Sequence, residues 1–457
     1  MSFSRTASLL FCLLFHFAFV LDAGEQVEVG LFHVDASPPV GSPLAYDPTK
    51  GTLIPLSCRG IVLMGDEKPI VLCAVDWIGI GNDGHFRFRE TLAKAAGTSR
   101  ERVAIHTLHQ HDAPHCDLST DQLLAQYGIN QEFFDAPFLR DVMQRTADAV
   151  KKATASPVPV THLGLGQGEV RMVASNRRIL GPDGKVLHVR WTATRDEKVR
   201  AFPAGTIDPQ LKMISFYNGD KPLVALTYYA THPQSYYRTG MANPDFPGIA
   251  RNVRQKETGL VHIHFNGAGG NIGAGKWNDG SKENRQVLAN RVAAGMRAAW
   301  ENTKRSPISA DDLGWKSVAV QLPAAPHLDE KSLLKILENK EAETRARLAA
   351  ARNLIWLRRC KSGDTIDVSC LALGKSRVLH LPGELFVEYQ LAAQKLKPEL
   401  FVAMAAYGDY APGYIGTKIG YTQGGYETSQ RASRVAPSVE GVLTDAIKQL
   451  LDAKFAP

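Results

Sequence analysis

From residue 27 onward the chain alternates short apolar runs, turn residues and longer amphipathic stretches. "VEVGLFHVDASPPVGSP", "GIVLMG" and "PIVLCAVDWIGI" have the length and the Gly/Pro/Asp punctuation of strands. A helix is expected over Gly84 to Ala96, then "RVAIHTLH" as a strand, then a second helix over Glu132 to Ala153. "PVPVTHLGLGQGEVRM", "LKMISFYNG" and "PLVALTYYATHP" read as strands. "GLVHIHFNGAGGN" is a strand running into a glycine-rich turn, ahead of a helix over Glu283 to Lys304. Residues 329 to 359 lack Pro and Gly and are rich in Ala, Leu and charge, which predicts one continuous helix in an insertion spanning 325–360. "VSCLALGKSRVLHLPGE" restores strand character and "SVEGVLTDAIKQLLDAKF" closes with a helix. Strand, turn and helix alternate throughout, so the expected class is α/β: a mixed-sheet sandwich with flanking helices. No repeat or linker divides residues 24–457, which are read as one domain.

The residues before this pattern differ. One basic residue (Arg5), an apolar run from Leu9 to Leu21 and a small residue at Ala23 are the layout of a secretory signal peptide over residues 1–23. An exported protein is therefore expected. A hydrophobic content of 44% with 22% charged residues suits a globular chain with a large core. The net charge of +7 is mild for 457 residues and forms no Lys/Arg block. Nucleic acid is thus not an expected partner, whereas weak contact with an anionic membrane surface is allowed. Outside the leader stand five cysteines with no CxxC spacing. Cys360 and Cys370 are close enough in sequence to close a short disulfide loop, with free thiols as the alternative.

Four of the fourteen histidines fall in "RVAIHTLHQHDAPHCD", at 106, 109, 111 and 115. His109 and His111 come just past an apolar strand, His232 just past "PLVALTYYAT", and Glu384 on the Pro-Gly turn after "SRVLHL". In open α/β sheets, ligands bind outside the carboxyl ends of strands. Imidazole and carboxylate groups delivered there by separate strands make a zinc set of the His/His/Glu kind, with a coordination position left for water. In extended backbone His109 and His111 share a face, so the pair offers either two ligands or one ligand and a proton-handling neighbour. His106, inside the strand, reads as a buried hydrogen-bonded histidine; His115, after Pro114, reads as an ordinary core or surface histidine, with a place at the rim of the site as the alternative. Asp112 reads as a loop cap, with orientation of a ligand histidine as the alternative, and Asp245 has both readings too.

These segments resemble a known family. "LHQHDAP", "VALTYYATHP", "LPGELF", the Asn-Arg of "NRR" at 176 to 178, and the tyrosines of "GYIGTKIGYTQGGYE" are similar, in order, to motifs of the neutral/alkaline ceramidases. The opening "VGLFHVDASPPVG" is similar as well, so the resemblance runs from about residue 28 to 428. It implies zinc held by His109, His232, Glu384 and Tyr414, with His111, Arg177 and Tyr426 lining the reaction centre. It also implies cleavage of an N-acyl amide in a ceramide-like lipid by metal-activated water. The same centre acting on a different amide or ester, and a catalytically silent binding protein of the same fold, are the alternatives. Two departures stand out. Gly273 occupies the place of the family's active-site serine, so no hydroxyl nucleophile is expected there, and the glycines of Gly270–Gly273 are expected to admit a ligand or form an anion-binding nest. The chain also ends soon after the tyrosine motifs, leaving no room for the family's C-terminal immunoglobulin-like domain.

Overall fold

The computed structural model describes residues 26–455; the expected leader lies outside them. Three sheets carry the fold. One runs Val103–Thr107, Ile70–Val75, Ser57–Met64, Val27–Asp35, Val158–Val160. The second runs Val261–Asn266, Lys221–Tyr229, Gln210–Asn218, His162–Glu169, Lys304–Pro307. The third runs Leu313–Val320, Ile366–Leu373, Ser376–His380, Phe401–Ala405. Most neighbours are antiparallel, but each sheet has one parallel pair at an edge. These pairs are Val103–Thr107 with Ile70–Val75, Lys221–Tyr229 with Val261–Asn266, and Ser376–His380 with Phe401–Ala405. The expected mixed α/β architecture is present.

Side-chain alternation explains the layering. Val224, Leu226 and Tyr228 face a core shared by all three sheets, together with Ile61, Leu63, Leu371 and Val378. Ala225 and Tyr229, one residue out of phase, face the helices Asp245–Thr258 and Lys282–Glu301. Glycines at 166 and 168 let the second of these helices lie against its sheet. A Cβ at Gly166 would stand 2.0 Å from the Ala299 carbonyl oxygen, and one at Gly168 2.4 Å from that of Gly295.

Several boundaries differ from the sequence reading. The helix expected over Glu132 to Ala153 is Ala136–Ala155, because Asp135 caps it by accepting from the Phe138 N–H and Pro137 sits in its first turn. The segment 329–359 is two helices, Glu330–Glu338 and Thr344–Ser362. Asn339 parts them: its Oδ1 accepts the Glu341 N–H at 3.0 Å, a local bond that competes with the helical one. Lys304, expected as the end of a helix, begins an edge strand instead, the helix having ended at Glu301. Helices over Leu118–Gln126, Asp245–Thr258 and Val387–Leu396 were not anticipated. No described cysteine is disulfide-bonded, so Cys360 and Cys370 are free. No described helix is long and apolar enough to cross a membrane.

Candidate metal centre

The carboxyl ends of the three parallel pairs meet. Ala406 N–H donates to the Asn266 carbonyl (2.9 Å), Thr107 N–H to that of Tyr407 (2.9 Å) and Leu108 N–H to that of Val75 (2.8 Å). The Asn266 side-chain amide donates to the Leu108 carbonyl. Each sheet then sends one segment into the junction: residues 108–112 from the first, 230–235 from the second and 381–385 from the third.

His109 takes a left-handed backbone, φ 63°. Its N–H donates to the Trp77 carbonyl (2.9 Å) and its Nδ1 to that of Ile78 (2.6 Å), so Nε2 is aimed inward with a free lone pair. The His232 N–H donates to the Ile272 carbonyl at 3.1 Å. Glu384 pairs in parallel with Tyr414, and its Oε1 accepts the Tyr410 hydroxyl at 2.8 Å. The outcome is a tight constellation. His109 Nε2 lies 3.1 Å and His232 Nδ1 3.8 Å from Glu384 Oε2. All three atoms are buried, and none has a hydrogen-bond partner among the described residues. Leaving such atoms unpaired costs about 1–3 kcal/mol each. Ligands tetrahedrally arranged at about 2.1 Å from a zinc ion stand about 3.4 Å apart, so this donor set fits a divalent cation.

His111 is different. With His109 and His232 it forms a buried group in which one nitrogen from each ring lies within 4.8 Å of the others, a spacing that could itself hold a metal ion. Both its nitrogens, however, are engaged: Nε2 with His232 Nε2 (3.0 Å), Nδ1 with the Tyr46 hydroxyl (3.1 Å) and the Gln234 amide (3.0 Å). Burial, reinforced by His109 and Arg177, holds the pKa values of His111 and His232 well below that of a free imidazole. Burial alone would raise that of Glu384, but His109, Tyr410 and Arg177 outweigh it and keep it low.

Tyr414 stands beside the trio, its ring parallel to His232 and its hydroxyl accepting from Arg177 Nη1 at 3.0 Å. Glu427 Oε1 holds Arg177 Nε at 3.1 Å, and Tyr426 closes the group edge-on to Tyr414 at 5.7 Å between centroids. All seven site residues expected from the sequence are thus brought together. Tyr46, Tyr410, Gln234 and Glu427 complete the site, and no pattern of spacing marks the first three.

Other expectations fared unevenly. His106 is buried, donating to the Ala406 carbonyl (2.7 Å) and meeting His380 (3.0 Å). His115 is 7% exposed, a buried histidine as its first reading allows, and not at the rim. Asp112 caps the loop at Arg238 and Thr239. Asp245 orients no ligand; it accepts from Ser235 and lies 3.6 Å from Arg285. The glycine-rich turn forms no nest, since the Gly270 and Ile272 amides are spent on the carbonyls of Leu385 and Gly269. Gly270 serves a close backbone approach: a Cβ there would stand 2.2 Å from the Glu384 carbonyl oxygen. Gly273 lies against Arg177 and His232 with ordinary room for a side chain.

Fold and site together define a mixed α/β protein with a buried His/His/Glu cluster where three sheets converge. Its fold is that of neutral ceramidase. The structure of neutral ceramidase from Pseudomonas aeruginosa matches with a TM-score of 0.67 and 16% identity, over 95% of this chain and 76% of that one. A structure of a ceramidase complexed with C2 matches with a TM-score of 0.67 and 15% identity, over 95% and 77%. No protein-family model matches the sequence, and no curated protein matches it.

Proposed function

We propose that the protein is an exported zinc-dependent amidohydrolase that cleaves the N-acyl amide of a lipid-like substrate. The observation that carries this reading is the convergence of three buried, unpartnered ligand atoms, one from the edge of each sheet. His109, His232 and Glu384 would hold the ion, with the Tyr414 hydroxyl beside them. When bound, zinc lowers the pKa of a water and polarises a substrate carbonyl.

The chain's own groups would do the rest. His111, fixed through Nδ1 by Tyr46 and Gln234, would hold a proton at Nε2, the nitrogen it turns to His232, and pass it to the leaving amine. Arg177, steered by Glu427, and Tyr426 supply donors for negative charge that develops on the acyl oxygen. Gly273 offers no nucleophile, so the attacking group is water. A cavity of about 580 Å³ opens on the Arg178 side of Glu427, its apolar lining supplied by Ile179, Leu180, Phe202, Phe386 and Ile419. An acyl chain fits that lining, and the half-exposed Leu187 and Trp191 nearby suit contact with a membrane surface.

The test is purification without chelator, metal analysis, and hydrolysis assays on N-acyl amides of graded chain length, N-acylsphingosines included. About one zinc per chain, lost in His109→Ala and His232→Ala, and hydrolysis that improves with chain length are expected. Full metal content in both variants refutes the ligand assignment. Retained zinc without turnover of any amide or ester favours a silent binding protein. Sequencing the N-terminus of protein recovered from the exported fraction checks removal of residues 1–23.

A further inference from the structure

The helix Thr344–Ser362 carries arginines at 345, 352 and 359, seven apart and therefore on one face. The outer two have partners. Arg345 Nη2 donates to the Tyr46 carbonyl at 2.7 Å, and Arg359 Nη1 pairs with Asp409 at 2.6 Å. Arg352, between them, has neither. Its guanidinium lies 5.6 Å from the Phe134 ring centroid, its Nε is buried without an acceptor, and it joins no ion pair among the described residues.

The same spot holds a second orphan. His115 packs against Phe134 (5.6 Å) and Tyr410 (5.3 Å), and neither of its ring nitrogens has a partner among the described residues. A second guanidinium, Arg434, is nearby; it donates to the Asn353 side chain (2.9 Å) and the Ala411 carbonyl (3.1 Å), and to no carboxylate. The carboxylate whose charge both arginines feel, Asp117, is occupied as the cap of Leu118–Gln126, accepting from Asn82, Ser119 and Thr120. Two part-buried cations whose shared carboxylate is already engaged elsewhere are costly, and so is a buried imidazole with no hydrogen bond. A guanidinium fork matches a planar or tetrahedral oxyanion.

The place is one side chain away from the candidate metal centre. Tyr410 separates them, its ring 5.3 Å from His115 and 5.4 Å from His109 and its hydroxyl on Glu384. The cavity that Ile179, Leu180 and Phe386 help line lies elsewhere, beyond Glu427. We infer that Arg352, Arg434 and His115 form a subsite for an oxyanion (carboxylate, sulfonate or phosphate ester) carried on the amine half of the N-acyl substrate. This deepens the amidohydrolase reading and rests on it. The preferred substrate is then an acylated amino acid, aminosulfonate or phosphorylated amine rather than a neutral amide.

The test uses the zinc-loaded full chain and a set of amides with one fixed acyl chain: on ethanolamine, glycine, taurine and phosphoethanolamine. An anionic substrate is expected to exceed the neutral one at least tenfold in kcat/KM, and that ratio to fall about tenfold in Arg352→Met and recover in part in Arg352→Lys. Which anion wins distinguishes carboxylate, sulfonate and phosphate. Calorimetric titration of wild type and Arg352→Met with sulfate reads the subsite without turnover. Sulfate binding that Arg352→Met abolishes upholds the subsite even where no amide is cleaved, and in that case the amidohydrolase reading alone fails. A wild type that prefers the neutral amide and gives no heat with sulfate overturns the subsite, whatever the variants do.

Discussion

Asp76→Asn should cost about 3–5 kcal/mol of stability and loosen the candidate metal centre at the same time. Asp76 follows the strand Ile70–Val75 and forms a two-bond ion pair with Arg251, at 2.7 and 2.9 Å, with both side chains at most 1% exposed. Its Oδ2 also accepts the Ser57 N–H (2.8 Å) and hydroxyl (2.7 Å). Arg59 is close by, its pKa lowered to about 9 by burial and by Arg251, with Asp76 opposing the fall. The asparagine keeps the shape but removes the negative charge and turns an amide N–H₂ toward groups that are themselves donors. Two buried guanidiniums then face each other unbalanced, the case in which breaking a buried pair is most destabilising. The next two residues supply the Trp77 and Ile78 carbonyls that fix His109, so metal occupancy of the candidate centre should drop as well. Urea unfolding followed by circular dichroism, with metal analysis on the same samples, reads both effects. Burial alone would raise the Asp76 pKa, but Arg251 overrides it and holds it below the ordinary carboxylate value. The contribution is therefore complete above about pH 3.9 and lost as pH falls through the lower folded value, and the variant should lack that acid-side loss. A stability change below about 1 kcal/mol, the size found for exposed pairs, would refute this account.

Two glycines of one turn should respond in opposite ways. Gly270→Ala places a Cβ 2.2 Å from the Glu384 carbonyl oxygen, so Glu384 must shift; a loss of about 1–3 kcal/mol and a fall in bound metal are expected, checked by thermal melting and metal analysis. Gly273→Ser meets only Arg177 and His232 carbons at 3.5–3.9 Å, so stability should hold within about 0.5 kcal/mol. Any change in hydrolysis rate by that variant then reports the added hydroxyl, and a large loss of stability would contradict the room seen there.

The sequence disclosed those parts of the fold in which local pattern and tertiary demand agree. Val224 to Tyr229 alternates between two buried faces, so an apolar run there means a strand whichever face is considered. Asp245–Thr258 was hidden because "DFPG" has turn composition, although Pro247 within a first turn is compatible with a helix. The break at Asn339 was hidden for the converse reason: the segment has helical composition, and a single side chain bonding forward ends the helix. The clustered His109, His232 and Glu384 were legible because each closes an apolar strand. Tyr46, Tyr410 and Gln234 were not, because their importance comes from what they touch across the fold.

The choice between His109 and His111 shows what tertiary structure adds. By spacing the two are equivalent, lying two residues apart past one strand. The fold separates them by hydrogen bonding alone: Nδ1 of His109 is consumed by the Ile78 carbonyl, leaving Nε2 bare, while both nitrogens of His111 have partners. A bare buried nitrogen is unfavourable unless something fills it, and the other two bare atoms of the cluster come from different sheets. One cation satisfying all three would tie the three sheet edges together at the point where their parallel strands end. Occupancy of the centre should therefore be linked to the stability of the whole domain, in proportion to the logarithm of free metal over its dissociation constant.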